Sequence, residues 1–278
     1  MTDLDYDPEQ HYDRVTQAWR LLLGDELHYG VFDRGDESLP VATAALTRRM
    51  TDAAQLGAGL HVLDVGCGSG APACHLVEAF GVNVVGITTS GVGVDQATAR
   101  AASRGLAGAT FEQRDGMDNG FPDASFDRVW VLESSHLMRD RERLIAECAR
   151  VLRPGGRLVL CDITRRRDIP FTEVRDRRAD FITLRSAFGD ARMEPLSFYT
   201  DAAGTCGLHV EHTEDLTVPT LPTFAHWRAN AVAHRDEVLA AIGAEGLGAF
   251  ERGTEILEAF WRDGTFGYGL FAATKPSP

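Results

Sequence analysis

The chain has 278 residues, 44% apolar and 25% charged, the makeup of a folded globule rather than a disordered polymer. Its net charge of −13 disfavours nucleic acid as a partner, because phosphate contacts need a positive footprint. Five scattered cysteines (67, 74, 148, 161 and 206) without a Cys-x-x-Cys pair argue against a disulfide framework or a zinc site, so no metal is expected. The start is acidic and no apolar run approaches ~18 residues, so a cytoplasmic protein without a membrane partner is expected.

In chain order, residues 7–23 put Val15, Trp19, Leu22 and Leu23 at helical spacing ahead of Gly24. The aromatic segment from Leu27 to Phe32 reads as extended, and a second helix is predicted over about 40–56. Strand and helix patterns then alternate. Strands are predicted at 61–65, 82–87, 109–112, 126–132 and 157–162, and helices at 71–80, 91–104 and 139–151. Arg153-Pro154-Gly155-Gly156 is read as the turn that closes the last helix. Nearly continuous apolar strands separated by helices imply a parallel sheet covered on both faces. Beyond 163 the rhythm changes: an inserted helix at 165–188, a helix at 198–206 and a strand at 208–217. Pro219 and Pro222 open a largely helical stretch to about 262, before a last strand at 266–273. The arginines at 165–167, 175, 177, 178 and 185 alternate with Asp168, Glu173, Asp176 and Asp180. They are read as a salt-bridged solvated face, with a substrate or subunit contact as the alternative.

The most informative stretch runs from Val62 to Gly70. Apolar residues interrupted by Asp64 lead into Gly66, Gly68 and Gly70, and Ala71-Pro72 opens a helix. Alternating glycines let the chain turn sharply and keep side chains away from a ligand. Pro72 suits the first helical turn, whose free N–H groups and partial positive charge then face the loop. Gly66, Gly68 and Ala71 also fit the dinucleotide pattern, so a nicotinamide dehydrogenase is weighed. Two features oppose it. The end of the second strand carries Thr88, Thr89 and Ser90 where a ribose-binding acid belongs, and Asp64 would repel a pyrophosphate but welcome an ammonium group.

Several further segments occur in a fixed order: Gly24 to Gly30, Val85 to Ser90, Arg114 to Asp118, Phe121 to Asp127, Leu132 to Met138, and Leu152 to Gly156. Together with the glycine loop, this set resembles class I S-adenosylmethionine-dependent methyltransferases that modify small molecules, most of all bacterial sugar O-methyltransferases of glycosylated secondary metabolites. The likeness extends from about residue 10 to the C terminus. It implies an α/β, Rossmann-like fold: a mostly parallel seven-stranded sheet with helices on both faces, N-terminal lid helices and a helical cap. The expected layout is an N-terminal lid region (1–57), a cofactor-binding core (58–164), and cap elements with the last two strands (165–278) in one domain. S-adenosyl-L-methionine is the implied cofactor, a small molecule the partner, and a homo-oligomer is open.

The resemblance also assigns residues. Gly66, Gly68 and Gly70 pass beneath the methionine and ribose parts, with Asp64 near the ammonium group. Asp115, Gly116 and Met117 meet the adenine; Leu132 and Glu133 border the reactive methyl. Thr88, Thr89 and Ser90 stand where the ribose is held, with Gln96 as another candidate, and Tyr29 sits in a lid segment over the cofactor. An alcohol acceptor needs its proton removed, and a histidine suits that work near neutral pH. His136, just past the fourth strand, is the candidate base. Asp162 is its candidate helper, and Glu133 a cofactor contact or an alternative base. His28, Phe224 and Trp227 are candidate substrate contacts. N- or C-methylation stays open, as does a protein that keeps the fold and binds the cofactor without transferring methyl, as a cyclase or regulator.

Overall fold

The computed structural model describes residues 18–277, so the predicted helix at 7–23 is seen only from 18 to 23 and Val15 lies outside the described residues. The elements that follow are α1 (Leu39–Ala54), β1 (His61–Val65), α2 (Ala71–Phe80), β2 (Asn83–Thr88), α3 (Gly91–Ser103), β3 (Ala109–Gln113) and β4 (Phe126–Leu132). A 3₁₀ turn at Ser135–Leu137 leads to α4 (Arg141–Val151) and β5 (Leu152–Arg165). Then come α5 (Phe171–Asp176), α6 (Arg178–Phe188), α7 (Leu196–Thr205), β6 (His209–Asp215), α8 (Thr217–Thr220), α9 (Thr223–Ala233), α10 (Arg235–Arg262) and β7 (Phe266–Thr274).

The seven strands form one sheet in the order β3-β2-β1-β4-β5-β7-β6. The pairs β1–β2, β1–β4, β2–β3 and β4–β5 are parallel, and β6–β7 is antiparallel. The expected architecture is therefore the observed one. Strand order reverses between β1 and β4, and in open α/β sheets ligands bind at the carboxyl ends of the strands beside such a reversal. The loops after β1 and β4 flank that reversal.

The chain divides into two compact units that interleave along the sequence. One holds residues 47–162, 194–215 and 269–278, with β1 to β4 and most of β5. Its core stacks Leu63, Val65, Val129, Val131, Leu158 and Leu160 of the sheet on Leu144, Ile145 and Cys148 of α4 and Tyr199 and Ala203 of α7. The other holds 18–46, 163–193 and 216–268 and is mostly helical. There Tyr29 stacks on Trp261 at 5.3 Å and touches Phe224, Trp227 and Tyr268.

Two readings need correction. Arg153-Pro154-Gly155-Gly156 does follow the end of α4, but it is a bulge at the start of β5 and not a free turn: the β4–β5 register shifts across it and Gly155 sits at φ 77°. The reason is pairing. Gly155 N–H donates to Lys275 O at 2.7 Å, Lys275 N–H donates to Gly156 O at 2.9 Å, and the Lys275 ammonium donates to the carbonyls of Ala149 in α4 and Leu152 just after it. Second, the stretch 165–188 is two helices rather than one, meeting at Arg177. Several of its arginines are ion-paired, Arg165 with Asp168, Arg167 with Glu173, Arg177 with Asp180 and Asp263. That is the salt-bridged face read from the sequence.

Candidate active site

The loop after β1 turns back on itself through Gly66, Gly68 and Gly70, all at positive φ (83°, 52° and 74°). Gly66 and Cys67 donate their N–H groups to Ile87 O of β2, at 2.8 and 3.0 Å, which fixes the loop to the sheet. A side chain at Gly66 would stand 2.2 Å from Ser134 Cβ, so the loops after β1 and β4 pass in direct contact. Ser134 Oγ–H donates to Val65 O at 2.7 Å and ties them together. Gly68 differs: it is exposed, and a Cβ there meets nothing within 4 Å. That open space above the loop is the cradle. The first turn of α2 follows, with Pro72 in it.

Asp64 sits on an interior strand, beside Gly86 of β2 and Trp130 of β4, and is 2% exposed. Its Oδ2 is buried without a hydrogen-bond partner among the described residues, and burial pushes the carboxyl up to about 7. An orphaned buried carboxylate oxygen costs free energy until a donor reaches it. A ligand with an ammonium group at this position supplies both donor and counter-charge.

Beyond the cradle, Ser90 caps α3 by accepting from Gly93 N–H at 2.9 Å, and Thr88 Oγ1 accepts from Ser90 N–H at 3.2 Å. Thr89 is exposed. Asp115 is exposed too; one of its oxygens accepts Met117 N–H at 2.8 Å, which folds the 115–118 turn beside buried Gly116. A Cβ on Gly116 would stand 2.6 Å from Val65, so glycine is what lets this turn approach the end of β1.

The second half of the site follows β4. Leu132 pairs with Cys161, so Asp162 lies beside the chain leaving the strand. Glu133 takes a left-handed conformation (φ 46°) that costs roughly 1–2 kcal/mol in a non-glycine residue and turns the chain toward Asp162. Asp162 is fully buried. Its Oδ2 accepts Ser135 N–H at 2.9 Å, Ser135 Oγ–H at 2.5 Å and His136 N–H at 3.2 Å, and its Oδ1 stands 2.6 Å from His136 Nδ1. A carboxylate ringed by donors accepts only, so His136 carries its proton on Nδ1 and presents Nε2 as a lone pair. Burial pulls the His136 pKa down, but the charge and hydrogen bond of Asp162, helped by Glu133, leave it raised.

Thus the structure brings together Asp64, Gly66, Gly68, Gly70, Leu132, Glu133, His136 and Asp162 at the ends of adjacent strands. Four of the expected contacts are buried side chains of the helical unit. Phe224 is fully buried and Trp227 nearly so, both packed in the aromatic cluster around Tyr29. Water does not reach the Phe224 ring, so no acceptor touches it in this conformation; these rings hold the helical unit together. Tyr29 shares that cluster, and Gly30 behind it is pressed against Ala42. His28 is buried as well, its Nδ1 2.8 Å from Tyr29 O, and burial lowers its pKa.

Sequence reasoning assigned no role to Ser134, Ser135 or Tyr199. The serines stood in a quoted motif, next to His136. Tyr199 lies 63 positions from His136 in the chain, and nothing local connects it to the site.

Comparison with known proteins agrees with this fold. Residues 4–265 match the family model described as mycolic acid cyclopropane synthetase. The chain is 35% identical over 267 residues to 27-O-demethylrifamycin SV methyltransferase of Amycolatopsis mediterranei (strain S699), covering 95% of each. Among solved structures it is similar to the 4+2 cyclase SpnF, at 26% identity and a TM-score of 0.83, covering 97% of this chain and 96% of that one. It also matches the fold of mycolic acid cyclopropane synthase CmaA1 complexed with SAH and CTAB, with a TM-score of 0.85, 22% identity and 96% of each chain covered.

Proposed function

The chain belongs to the mycolic acid cyclopropane synthetase family and is an S-adenosylmethionine-dependent methyltransferase; we propose that its acceptor is a hydroxyl group of a small secondary metabolite and that His136 removes the hydroxyl proton. When bound, the cofactor supplies an electrophilic methyl on a sulfonium, delivered in line to the attacking atom. The residues present fit it. Asp64, with its orphaned Oδ2, takes the ammonium group, and the open face at Gly68 leaves room for the ligand's body. The α2 N-terminus favours the carboxylate. Asp115, Gly116 and Met117 take the adenine, Thr88, Thr89 and Ser90 the ribose side, and Leu132 and Glu133 border the transferred group.

A neutral alcohol attacks poorly, so removal of its proton during attack lowers the barrier. His136 Nε2 is the acceptor of that proton. Asp162 stays ionised and stabilises the imidazolium that forms, while fixing the ring and its tautomer. The observation that carries this reading is the 2.6 Å contact between His136 Nδ1 and Asp162 Oδ1. Its test is His136→Ala, incubated with cofactor and hydroxylated metabolites and followed by mass spectrometry for a gain of CH₂. A loss of about 10²–10⁴-fold is expected for a missing base, with S-adenosylhomocysteine binding retained. A variant as fast as wild type across the pH range sinks the base.

The likeness to SpnF supports one other reading, a cofactor-binding protein that catalyses ring closure instead of methyl transfer. Methyl-labelled cofactor separates the two, since only transfer moves the label into product. Transfer to an amine needs no base, so undiminished labelling by His136→Ala would mark N-methylation.

A further inference from the structure

Asp162 is held by more than His136. Ser135 Oγ lies 2.5 Å from Asp162 Oδ2 and 2.9 Å from the Tyr199 hydroxyl, and Ser135, Tyr199 and Asp162 are all fully buried. A serine has one hydroxyl proton. The carboxylate cannot donate, so Ser135 gives its proton to Asp162, and Tyr199 gives its own to Ser135. Burial, and after it the charge of Asp162, push the Tyr199 pKa up, which keeps the phenol a donor. The chain of groups therefore runs one way: Tyr199 O–H to Ser135 O–H to Asp162, with the His136 Nδ1–H on the far oxygen.

We propose that Ser135 and Tyr199 are positioning residues of the reaction, a hydroxyl relay that disperses the charge of Asp162 and so sets how strongly it holds the His136 imidazole. The proposal rests on His136 being the base. Each donor on Oδ2 withdraws charge from Oδ1. Removing one concentrates charge facing His136 and makes the imidazole harder to deprotonate. The other charged groups facing these side chains are Glu133, after β4, and Arg141 of α4 toward His136, and Arg141 and Glu194 toward Tyr199. All stay in place in the variants below.

The test reads His136 directly and needs no acceptor. In the full chain labelled with ¹³C-histidine, the His136 resonance is assigned by its loss in His136→Gln and titrated by NMR. Ser135→Ala is expected to raise the His136 pKa by about half a unit to one unit, a fraction of the ~1–2 units that a hydrogen bond to a charged group is worth, because Ser135 acts on the carboxylate and not on the ring. Tyr199→Phe, which keeps the ring packed between Phe198 and Phe271, is expected to raise it by a smaller step. The double variant should stay close to Ser135→Ala, because the Tyr199 hydrogen bond of the relay is made to Ser135. Unmoved or lowered values, or single shifts that simply add, overturn the relay. Its failure is separable from that of the base: an intact methylation rate in His136→Ala removes the base whatever the titrations show, and flat titrations remove the relay whatever that rate is.

Discussion

Asp64 gives the sharpest prediction, because its burial and its missing partner act in the same direction. With the carboxyl pushed up to about 7, ligand-free protein at pH 6 carries it mostly protonated. A ligand whose ammonium pairs only with the ionised form then binds with an affinity proportional to the ionised fraction. That fraction rises from about one-tenth at pH 6 to about nine-tenths at pH 8, so S-adenosylhomocysteine affinity should climb about tenfold, roughly 1.4 kcal/mol. Isothermal titration across this range, in buffers of different ionisation enthalpy, should also show a proton released on binding at pH 6. Asp64→Asn should bind about 10–200-fold more weakly at pH 8, the range of a hydrogen bond to a charged group, and lose the pH dependence. The same carboxyl bears on stability with a definite sign. Its folded pKa lies above the unfolded value, so ligand-free stability is full at low pH and declines as pH rises from about 4 toward about 7. The decline is roughly 4 kcal/mol if the whole shift is expressed. Asp64→Asn without ligand should lack that decline. An affinity flat from pH 6 to pH 8, with Asp64→Asn binding like wild type, refutes the assignment.

The other expectations are simpler. The raised pKa of His136 places the acidic limb of kcat/KM above the ordinary histidine value of about 6.5, with activity rising as the imidazole deprotonates; a limb at or below that value would contradict the Asp162 contact. The same pairing stabilises the fold below that ordinary value, and the contribution is lost as pH rises through the folded pKa. Gly66→Ala and Gly68→Ala share a backbone penalty of roughly 1–2 kcal/mol, but only Gly66→Ala meets Ser134, so its thermal midpoint should fall further. Gly68→Ala should instead lose more S-adenosylhomocysteine affinity than its modest change in melting explains. Trp227→Ala should cost about 3–5 kcal/mol in denaturant unfolding, as for other buried tryptophans. A normal melt with a raised KM would return Trp227 to the substrate.

Local pattern made most of the core legible, because parallel strands and their covering helices announce themselves by apolar runs and periodicity. The strands from 61 to 132 and the helices between them lie within a residue or two of expectation. The glycine loop was legible for the same reason: its constraints are all local. The start of β5 was not, since Arg153-Pro154-Gly155-Gly156 keeps its bend, with Gly155 at φ 77°, yet joins the strand by pairing with Lys275, more than a hundred residues away. Phe224 and Trp227 misled because aromatic rings after prolines look alike whether they line a pocket or fill a core; only Tyr29, Trp261 and Tyr268 around them decide which. Tyr199 was invisible for the converse reason, being brought to Ser135 by the packing of α7 on the sheet.

Two buried aspartates flank β4, one on β1 and one on β5, and their different surroundings separate their tasks. Asp162 is met by donors on both oxygens, all supplied by the chain, so it is ionised before any ligand arrives and its charge is committed to orienting His136. Asp64 has an oxygen that the described residues leave without a donor, and its carboxyl is pushed toward the neutral form. A protein selected for stability alone would have replaced such a residue with an apolar one, since an unmet buried carboxylate costs more than it returns. Its presence on an interior strand, at the mouth of a glycine loop open to solvent, follows if the missing donor is carried by the ligand. The fixed charge then serves proton removal and the unmet one serves recognition, and a single strand's width keeps them apart.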